Sequence, residues 1–193
     1  MNFISFEVGR NIDIRVVPYE DVEIKPLHID HIENIQELLV KGSDESGYTL
    51  ISKEIVSNYE RFKPIVLKWS ESTYEFNLGA FVKDKSSLVR LVGHIHFRVA
   101  LPFLDKVKHI GSFNILILRE YWGLGIGKKL MEAMISRAKT MGIKRIEAQV
   151  VCNNQRAVNL YLKCGFSIEG TRKNSFYDGS HYLDEFFIAK LIE

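Results

Sequence analysis

The chain is poor in cysteine, the residue that staples small secreted proteins and ligates structural metals. It has only two cysteines in 193 residues, Cys152 and Cys164. Two cysteines cannot form a multi-disulfide framework, and their spacing is not that of a zinc site. Because both lie among apolar residues, we expect reduced, buried thiols that act as small hydrophobic side chains, and no bound metal.

Long hydrophobic runs and an excess of one charge are also missing. No apolar run approaches a membrane span, and the first residues lack the basic start and apolar core of a signal peptide. Lys and Arg total 26 against 24 acidic residues, which gives no electrostatic case for nucleic acid or membrane as the general partner. We therefore expect a cytoplasmic protein in which any anion site is local.

No repeat, low-complexity tract or Pro/Gly/Ser-rich linker divides the chain. Its length and its 46% of hydrophobic residues suit one globular core. We predict a single domain over residues 21–193. Residues 1–20 are predicted to be an N-terminal extension of uncertain structure.

The first half of the domain combines two helices with antiparallel strands. Apolar residues from Ile29 to Leu39 keep a helical spacing, and β-branched and aromatic residues flank the turn-like stretch DKSS as in a hairpin. The predicted elements are a strand at Val22–Leu27, a helix from about Ile29, a helix from about Ser52 to Phe62, hairpin strands at Tyr74–Lys83 and Leu88–Ala100, and a strand at about Gly111–Leu118.

The second half alternates helix and strand. An apolar helical stripe follows Gly127 and ends near Gly142; after the strand IKRIEAQVVC, Asn153 or Asn154 can cap a second helix that Gly165 ends. The segments FSIEGTRK and HYLDEFFIAKLI complete the sheet. The pattern predicts an α/β (α+β) fold with a mixed sheet, in which the strands flanking the first of these helices run parallel.

Three glycines, Gly123, Gly125 and Gly127, lie between a predicted strand and the first turn of a helix. A helix start offers unpaired N–H groups and the positive end of the dipole, so a bare loop there suits an anion such as phosphate. Lys128 and Lys129 oppose the dipole in this first turn, and a bound polyanion would reverse that penalty.

Other uses of a glycine loop fit less well. A P-loop requires Gly-Lys followed by Ser or Thr, whereas Lys128 is followed by Lys129. A dinucleotide fingerprint requires G-x-G-x-x-G, whereas this loop reads G-x-G-x-G and Glu147 falls in mid-strand. A tight turn without a ligand remains open, although each glycine then costs backbone entropy with no packing return.

Two motifs together resemble the GNAT superfamily of acetyl-CoA-dependent N-acetyltransferases. The stretch WGLGIG, Trp122–Gly127, is similar to that family's pyrophosphate signature Gln/Arg-x-x-Gly-x-Gly/Ala, except that Trp122 replaces Gln or Arg. The stretch NQRAVNLYLKCGF, Asn154–Phe166, is similar to the family's Asn-x-x-Ala-x-x-Leu-Tyr-x-x-x-Gly-Phe helix. The resemblance implies the GNAT fold: a central mixed, mostly antiparallel sheet with splayed parallel strands, flanked by helices.

The resemblance also implies acetyl-CoA as co-substrate, with direct attack of an amine on the thioester. A backbone N–H, best placed at Ile117, would stabilise the carbonyl oxygen, and Tyr161 would lend a proton to the departing thiol. Simpler roles stay open, since Tyr161 could be a core aromatic, Asn154 a helix cap and Lys128 a solvated lysine. The implied cofactor-binding residues are Ile117, Leu118, Trp122, Gly123, Leu124, Gly125, Ile126, Gly127, Lys128, Asn154, Ala157 and Tyr161.

The general base is not evident, because the strand before the glycine loop carries no carboxylate. Ser112, which we include among the catalytic residues, and Asn114 could hold a water, and His109 could act as the base. His94 and His96 are alternatives, although two exposed strand histidines are the simpler expectation. The acids that could line an acceptor site are Glu147, Asp178, Asp184 and Glu185.

The C-terminal segment from Glu169 resembles bacterial members of the superfamily that act on small amines, including spermidine and phosphinothricin-like acetyltransferases, and less closely the ribosomal-protein N-terminal acetyltransferases. The favoured function is acetylation of a primary amine of a small molecule. A protein N-terminal or lysine acetyltransferase and a non-catalytic acyl-CoA-binding sensor remain alternatives. Homodimers are common in the family, so a homodimer is also open.

Overall fold

The computed structural model describes residues 19–84 and 88–193, with the side chains of residues 19–21 and 84 left aside. Residues 1–18, most of the predicted N-terminal extension, therefore lie outside the described residues. The elements are β1 Tyr19–Pro26, α1 Ile32–Glu45, α2 Lys53–Ser57, α3 Tyr59–Glu71, β2 Glu75–Asp84, β3 Val89–Val99, β4 Ile110–Ile117, α4 Ile126–Thr140, β5 Arg145–Val151, α5 Gln155–Lys163, β6 Ser167–Tyr177 and β7 Tyr182–Leu191.

The seven strands form one mixed sheet in the order β1-β2-β3-β4-β5-β7-β6. Neighbouring strands are antiparallel except β4 and β5, which are parallel and connected through α4. The predicted fold class, the hairpin β2–β3 and the parallel pair around the first helix of the second half are confirmed.

Side-chain alternation gives the sheet two faces with different helices on them. On β4, Ser112, Asn114 and Leu116 share the face that packs on α1 and α3; we call it the α1 face. A Cβ added to Gly42 of α1 would collide with Leu116, which places α1 directly over β4.

The opposite face, the α4 face, carries the main core beneath α4 and α5. Phe113, Ile115 and Ile117 of β4 lie on it, and Leu130, Met131 and Met134 of α4 are fully buried against it. Tyr161 of α5 packs its ring on Phe113, with 5.4 Å between ring centroids. The core is thus closed on this side by the two helices that carry the predicted motifs.

Two sequence-based expectations are wrong. The helix predicted from about Ser52 to Phe62 is two helices, because Asn58 ends α2 and caps α3 by accepting a hydrogen bond from the Arg61 N–H at 3.1 Å. Both cysteines are partly exposed and not disulfide-bonded, because Cys152 follows the end of β5 and Cys164 is the C-cap of α5. In the described part of the chain, no helix has the length and apolarity needed to span a membrane.

Candidate active site

The parallel strands β4 and β5 separate towards their C-terminal ends. They pair from Ile110 opposite Arg145 to Ser112 opposite Glu147, and the pairing stops there. Leu118 donates its N–H to the Val92 carbonyl at 3.0 Å on the β3 side. Because backbone groups alternate along a strand, Ile115 and Ile117 direct their N–H and C=O groups towards β5, into the opening between the strands. This direction suits the predicted donor role of Ile117.

The glycine loop lies at the end of this opening and enters α4. Gly123 and Gly125 both have φ of +79°, and a Cβ added at either would meet nothing within 4 Å. Gly125 is the N-cap of α4 and makes no side-chain cap, so the N–H groups of the first turn are approachable. The left-handed backbone favours glycine at both positions, and the open space around them leaves room for a ligand to approach the backbone.

Gly127 has a different reason. A Cβ at Gly127 would lie 2.9 Å from Cδ2 of Leu160 and 3.2 Å from Cδ1 of Ile117. Its missing side chain therefore lets α4 pack closely on α5 and β4. Helix packing therefore explains Gly127, and its contact with a cofactor stays a prediction.

The remaining loop residues differ in what they present. Leu118 and Ile126 are buried in the core, so only their backbones can face a ligand. Leu124 is 39% exposed. Lys128 is exposed, with its Nζ 3.6 Å from a Glu132 carboxylate oxygen. These contacts fit the simpler reading of Lys128 as a solvated lysine, and its phosphate role stays a prediction.

Tyr161 has a buried ring and a hydroxyl that is not completely enclosed. Its ring contacts Phe113 and, at 6.1 Å between centroids, Phe166. Its hydroxyl has no hydrogen-bond partner among the described residues, and no fully buried side-chain oxygen of those residues lacks one, so the hydroxyl touches solvent. Burial raises the pKa of Tyr161 well above its usual value, which keeps the hydroxyl protonated.

Asn154 is the N-cap of α5. Its Oδ1 accepts a hydrogen bond from the Ala157 N–H at 3.2 Å, which leaves the amide NH₂ group for any further contact. Ala157 is half-buried, and the cap engages its N–H. The structure supports the capping role, and contacts of Asn154 and Ala157 with a cofactor remain predictions.

Trp122 folds back over the end of β4. Its Nε1–H donates a hydrogen bond to the Ile117 carbonyl at 2.7 Å. Two guanidinium groups lie near its ring, Arg156 at 4.3 Å and Arg119 at 5.5 Å from the centroid. Sequence reasoning missed this cluster; the available signal was an aromatic residue at a motif position that carries Gln or Arg, with an arginine in the next motif.

The α1 face of the opening is polar. Ser112 accepts a hydrogen bond from Arg98 Nε at 3.3 Å and stands opposite Glu147, which is paired with Arg145 at 2.9 Å. Asn114, the next residue on this face, is exposed. Ser112 therefore sits at the last paired rung, where β4 and β5 begin to separate.

The two strand histidines are not exposed, contrary to expectation, because Trp69 of α3 covers them. The distances between ring centroids are 6.0 Å from Trp69 to His94 and 5.2 Å from Trp69 to His96. His94 is buried with Nε2 2.7 Å from Asn77 Oδ1, and burial lowers the pKa of His94 to about 3. Burial lowers the pKa of His96 as well, partly offset by Glu75 at 2.9 Å from its Nε2.

The last candidate base, His109, precedes β4. Its carbonyl accepts hydrogen bonds from the N–H groups of Lys144 and Arg145, at 2.9 and 3.2 Å. His109 thus lies at the closed end of the β4–β5 pair, with the paired rungs between it and the opening.

The C-terminal acids differ in their surroundings. Asp178 caps a turn by accepting from the N–H of Ser180 and of His181, and Asp184 is paired with Lys173 at 2.7 Å. Glu185 is buried on β7 opposite Val151, on the α1 face, with Arg172 Nη1 at 3.5 Å.

Comparison with known proteins agrees with this geometry. The sequence profile described as the acetyltransferase (GNAT) family matches residues 46–166. The chain is 29% identical over 115 residues to the L-amino acid N-acetyltransferase AaaT of Escherichia coli (strain K12), covering 56% of this chain and 71% of that protein.

Two further curated relatives have other acceptors in their names. The spermidine N(1)-acetyltransferase of Escherichia coli (strain K12) is 22% identical over 168 residues, covering 83% of this chain and 81% of that one. The [ribosomal protein bS18]-alanine N-acetyltransferase of Haemophilus influenzae is 29% identical over 136 residues, covering 66% of this chain and 88% of that one.

Among solved structures, a GNAT-family acetyltransferase from Streptococcus pneumoniae superposes with a TM-score of 0.79 at 27% identity. The match covers 90% of this chain and all of the other. The likeness therefore extends well beyond the two motifs, through most of the described sheet and helices.

Proposed function

Since the chain belongs to the acetyltransferase (GNAT) family, we propose that it transfers the acetyl group of acetyl-CoA to a primary amine of a small molecule. The observation that carries this proposal is the opening between β4 and β5 beside a bare glycine loop. The loop suits a pyrophosphate, and the opening suits an extended arm that lies along an unpaired strand edge.

The residues present fit acetyl-CoA. Open space at Gly123 and Gly125 lets phosphate oxygens approach the first N–H groups of α4, whose dipole favours them. The unpaired edge of β4 offers the backbone groups of Ile115 to the arm. When bound, acetyl-CoA supplies a thioester whose carbonyl carbon accepts the amine and whose sulfur departs as a thiolate, which takes its proton from solvent.

Ile117 and Tyr161 serve the two sites where negative charge develops. The Ile117 N–H points into the opening and stabilises the charge that grows on the carbonyl oxygen. Tyr161 donates a hydrogen bond to the departing sulfur. Since its raised pKa makes full proton transfer to a thiolate unfavourable, we expect Tyr161 to act as a donor whose proton stays largely on its own oxygen.

The amine must lose a proton before it attacks, because its pKa is about 10. We propose His96 as the group that accepts that proton, since Glu75 holds its Nε2, which leaves Nδ1 with a free lone pair. Burial lowers the pKa of His96, so the ring is neutral before the reaction and is a weaker base than an exposed histidine. His96 stands directly opposite Asn114 across β3 and β4. We assign the proton path to a water held by Ser112 and Asn114, then to His96.

A small cationic acceptor is supported by the α1 face. There α1 packs over β4 on one side of the opening, and the buried Glu185 lies on β7, on the far side of β5. A carboxylate with only a 3.5 Å contact to Arg172 can pair with an ammonium group. The names of the relatives include both small amines and a ribosomal protein, so a protein N-terminus is the second candidate.

The deciding experiment is release of thiol from acetyl-CoA in the presence of polyamines, amino acids, aminoglycosides and short peptides, with CoA binding measured by calorimetry. We expect acceptor-dependent release with a small amine. Release with peptides alone would replace the small amine by a protein N-terminus or lysine. Binding of CoA without release by any acceptor would favour an acyl-CoA sensor, and absence of binding would contradict the proposed cofactor site.

A further inference from the structure

Trp122 stands where the related signature carries Gln or Arg, and its contacts reach both functional parts of the proposed site. The Ile117 N–H and C=O point to the same open edge of β4. The Trp122 indole N–H binds the carbonyl at 2.7 Å, and because β4–β5 pairing ends at Ser112, the Ile117 N–H has no strand partner on that edge among the described residues. The indole thereby fixes the strand end whose N–H is proposed to meet the thioester.

The Trp122 ring contacts two guanidinium groups beside the glycine loop, those of Arg119 and Arg156. Arg119 is committed to α1, since its Nη2 donates to the Glu45 carbonyl at 2.6 Å and its N–H to the Glu45 carboxylate. Arg156 is not committed in this way. It lies in the first turn of α5, is exposed, and forms no ion pair with a carboxylate of the described residues.

A cation in the first turn of a helix opposes the dipole, so the position of Arg156 is unfavourable for α5 itself. Stacking on Trp122 at 4.3 Å holds the guanidinium on the side of the loop where α4 and α5 both begin. An unpaired guanidinium held beside two helix starts is suited to bind phosphate.

We propose that Trp122 is a positioning residue with two functions: it orients the Ile117 N–H, and it holds Arg156 as a phosphate-binding side chain for acetyl-CoA. The proposal rests on the proposed function. In this chain the phosphate is contacted by Arg156, which Trp122 holds in place, and not by a Gln or Arg at position 122 itself.

The two functions are separable by substitution. Trp122→Phe keeps an aromatic ring for Arg156 but removes the N–H that binds the Ile117 carbonyl. Arg156→Gln removes the charge and leaves the indole in place. Lys163→Gln, in the last turn of the same helix, is the matched control. The substitution removes the same charge from an exposed side chain that lies away from the loop.

For Arg156→Gln we expect the calorimetric dissociation constant of CoA to rise about tenfold, as for loss of one charge-assisted contact, with Lys163→Gln within about twofold of the wild type. In a Trp69→Phe background, which leaves Trp122 as the single tryptophan, CoA should change the Trp122 fluorescence, and Arg156→Gln should abolish that change. Equal affinities of Arg156→Gln and Lys163→Gln would overturn the role of Arg156.

For Trp122→Phe we expect CoA affinity to stay within about twofold and kcat to fall about tenfold, equivalent to about 1.4 kcal/mol of transition-state stabilisation. The amide resonance of Ile117 supplies a readout that needs no acceptor. In the wild type it should move on binding acetyl-CoA compared with CoA, and in Trp122→Phe this difference should disappear. An unchanged shift in Trp122→Phe would overturn the positioning role.

The proposed reaction and the role of Trp122 fail under different outcomes. If no acceptor supports turnover but the CoA affinity and the Ile117 shift behave as expected, the proposed reaction fails and the role of Trp122 stands. If turnover is found and neither variant differs from its control, the role of Trp122 fails and the reaction stands. Melting temperatures of the variants within a few degrees of wild type establish that they fold.

Discussion

At the scale of single residues, Tyr161 is the side chain whose loss should act on chemistry and not on cofactor binding. Its ring is packed on Phe113, and its hydroxyl has no hydrogen-bond partner among the described residues. We expect Tyr161→Phe to lower kcat about 10- to 100-fold, towards the low end for proton-donating groups, because the proton stays largely on the phenol.

The measurement is steady-state thiol release together with the dissociation constant of CoA, with Tyr59→Phe as control, since Tyr59 is an exposed tyrosine on α3. CoA affinity should not change in either variant. A Tyr161→Phe enzyme with full kcat would leave Tyr161 as a core aromatic only.

His94 should make the stability of the fold depend on pH. Its folded-state pKa of about 3 lies below the unfolded value of about 6.5, so the unfolded chain binds the proton first as pH falls. The contribution of neutral His94 to the free energy of unfolding is therefore fully present above about pH 6.5. It is lost as the pH falls towards 3, by about 1.4 kcal/mol for each pH unit.

Urea unfolding at pH 7 and pH 5 tests this expectation. Between these values the wild type should lose about 2 kcal/mol more than His94→Gln does. His96→Gln is the comparison variant. Glu75 partly offsets the lowering of the pKa of His96, so His96 should contribute less than His94 to the pH dependence of the free energy of unfolding. Parallel pH profiles for wild type and His94→Gln would show that His94 does not titrate in this way.

The residues whose roles were predicted depend on local backbone conformation, whereas those that were missed depend on contacts between residues distant in the sequence. Gly142 and Gly165 follow the ends of helices with a local left-handed backbone, and the sequence predicted both positions. Trp122 and Arg156 meet only after α5 folds back on the loop. No spacing in the sequence encodes a contact between positions 122 and 156, so their cluster was not predicted.

At the scale of secondary-structure elements, the contact between α4 and α5 depends on Gly127. Alanine near a helix start normally stabilises relative to glycine, but here the added methyl group would overlap Leu160. We expect Gly127→Ala to lower the free energy of unfolding by about 1–3 kcal/mol through overpacking.

Urea unfolding of Gly127→Ala, Gly47→Ala, Leu160→Ala and the double variant Gly127→Ala/Leu160→Ala provides the test. Gly47 has open space around its added Cβ and should change stability by less than about 0.5 kcal/mol. If overlap is the cause, Leu160→Ala costs less in the Gly127→Ala background than in the wild type. Additive effects would place the cause elsewhere.

The error over α2 and α3 has a specific origin at this scale. Asn58 sits inside an apolar periodic run, and its capping of α3 depends on a backbone turn that periodicity does not report. α3 continues through Pro64 to Glu71, because Phe62 and Val66 are buried and tertiary packing outweighs one missing hydrogen bond.

At the scale of the whole molecule, binding of CoA should stabilise the fold although the chain is nearly neutral, at a formal +2. A ligand at 100 times its dissociation constant contributes about 2.7 kcal/mol, which for a chain of this size raises the melting temperature by about 5–10 °C. Pantetheine, which lacks the phosphates, should give a smaller shift, and added salt should reduce the shift by CoA. Equal shifts by CoA and pantetheine would argue against a phosphate site at the loop.

The short parallel ladder between β4 and β5 also determines how the free molecule fluctuates. Antiparallel ladders connect β1 through to β4 and β5 through β7 to β6, whereas the two parts are joined by the residue pairs from Ile110–Arg145 to Ser112–Glu147. This seam is the weakest line in the described sheet. Native-state hydrogen exchange should reveal β5, β6 and β7 as one foldon that opens ahead of β2 and β3, and a ligand that bridges the seam would join two independently breathing halves into one cooperative unit.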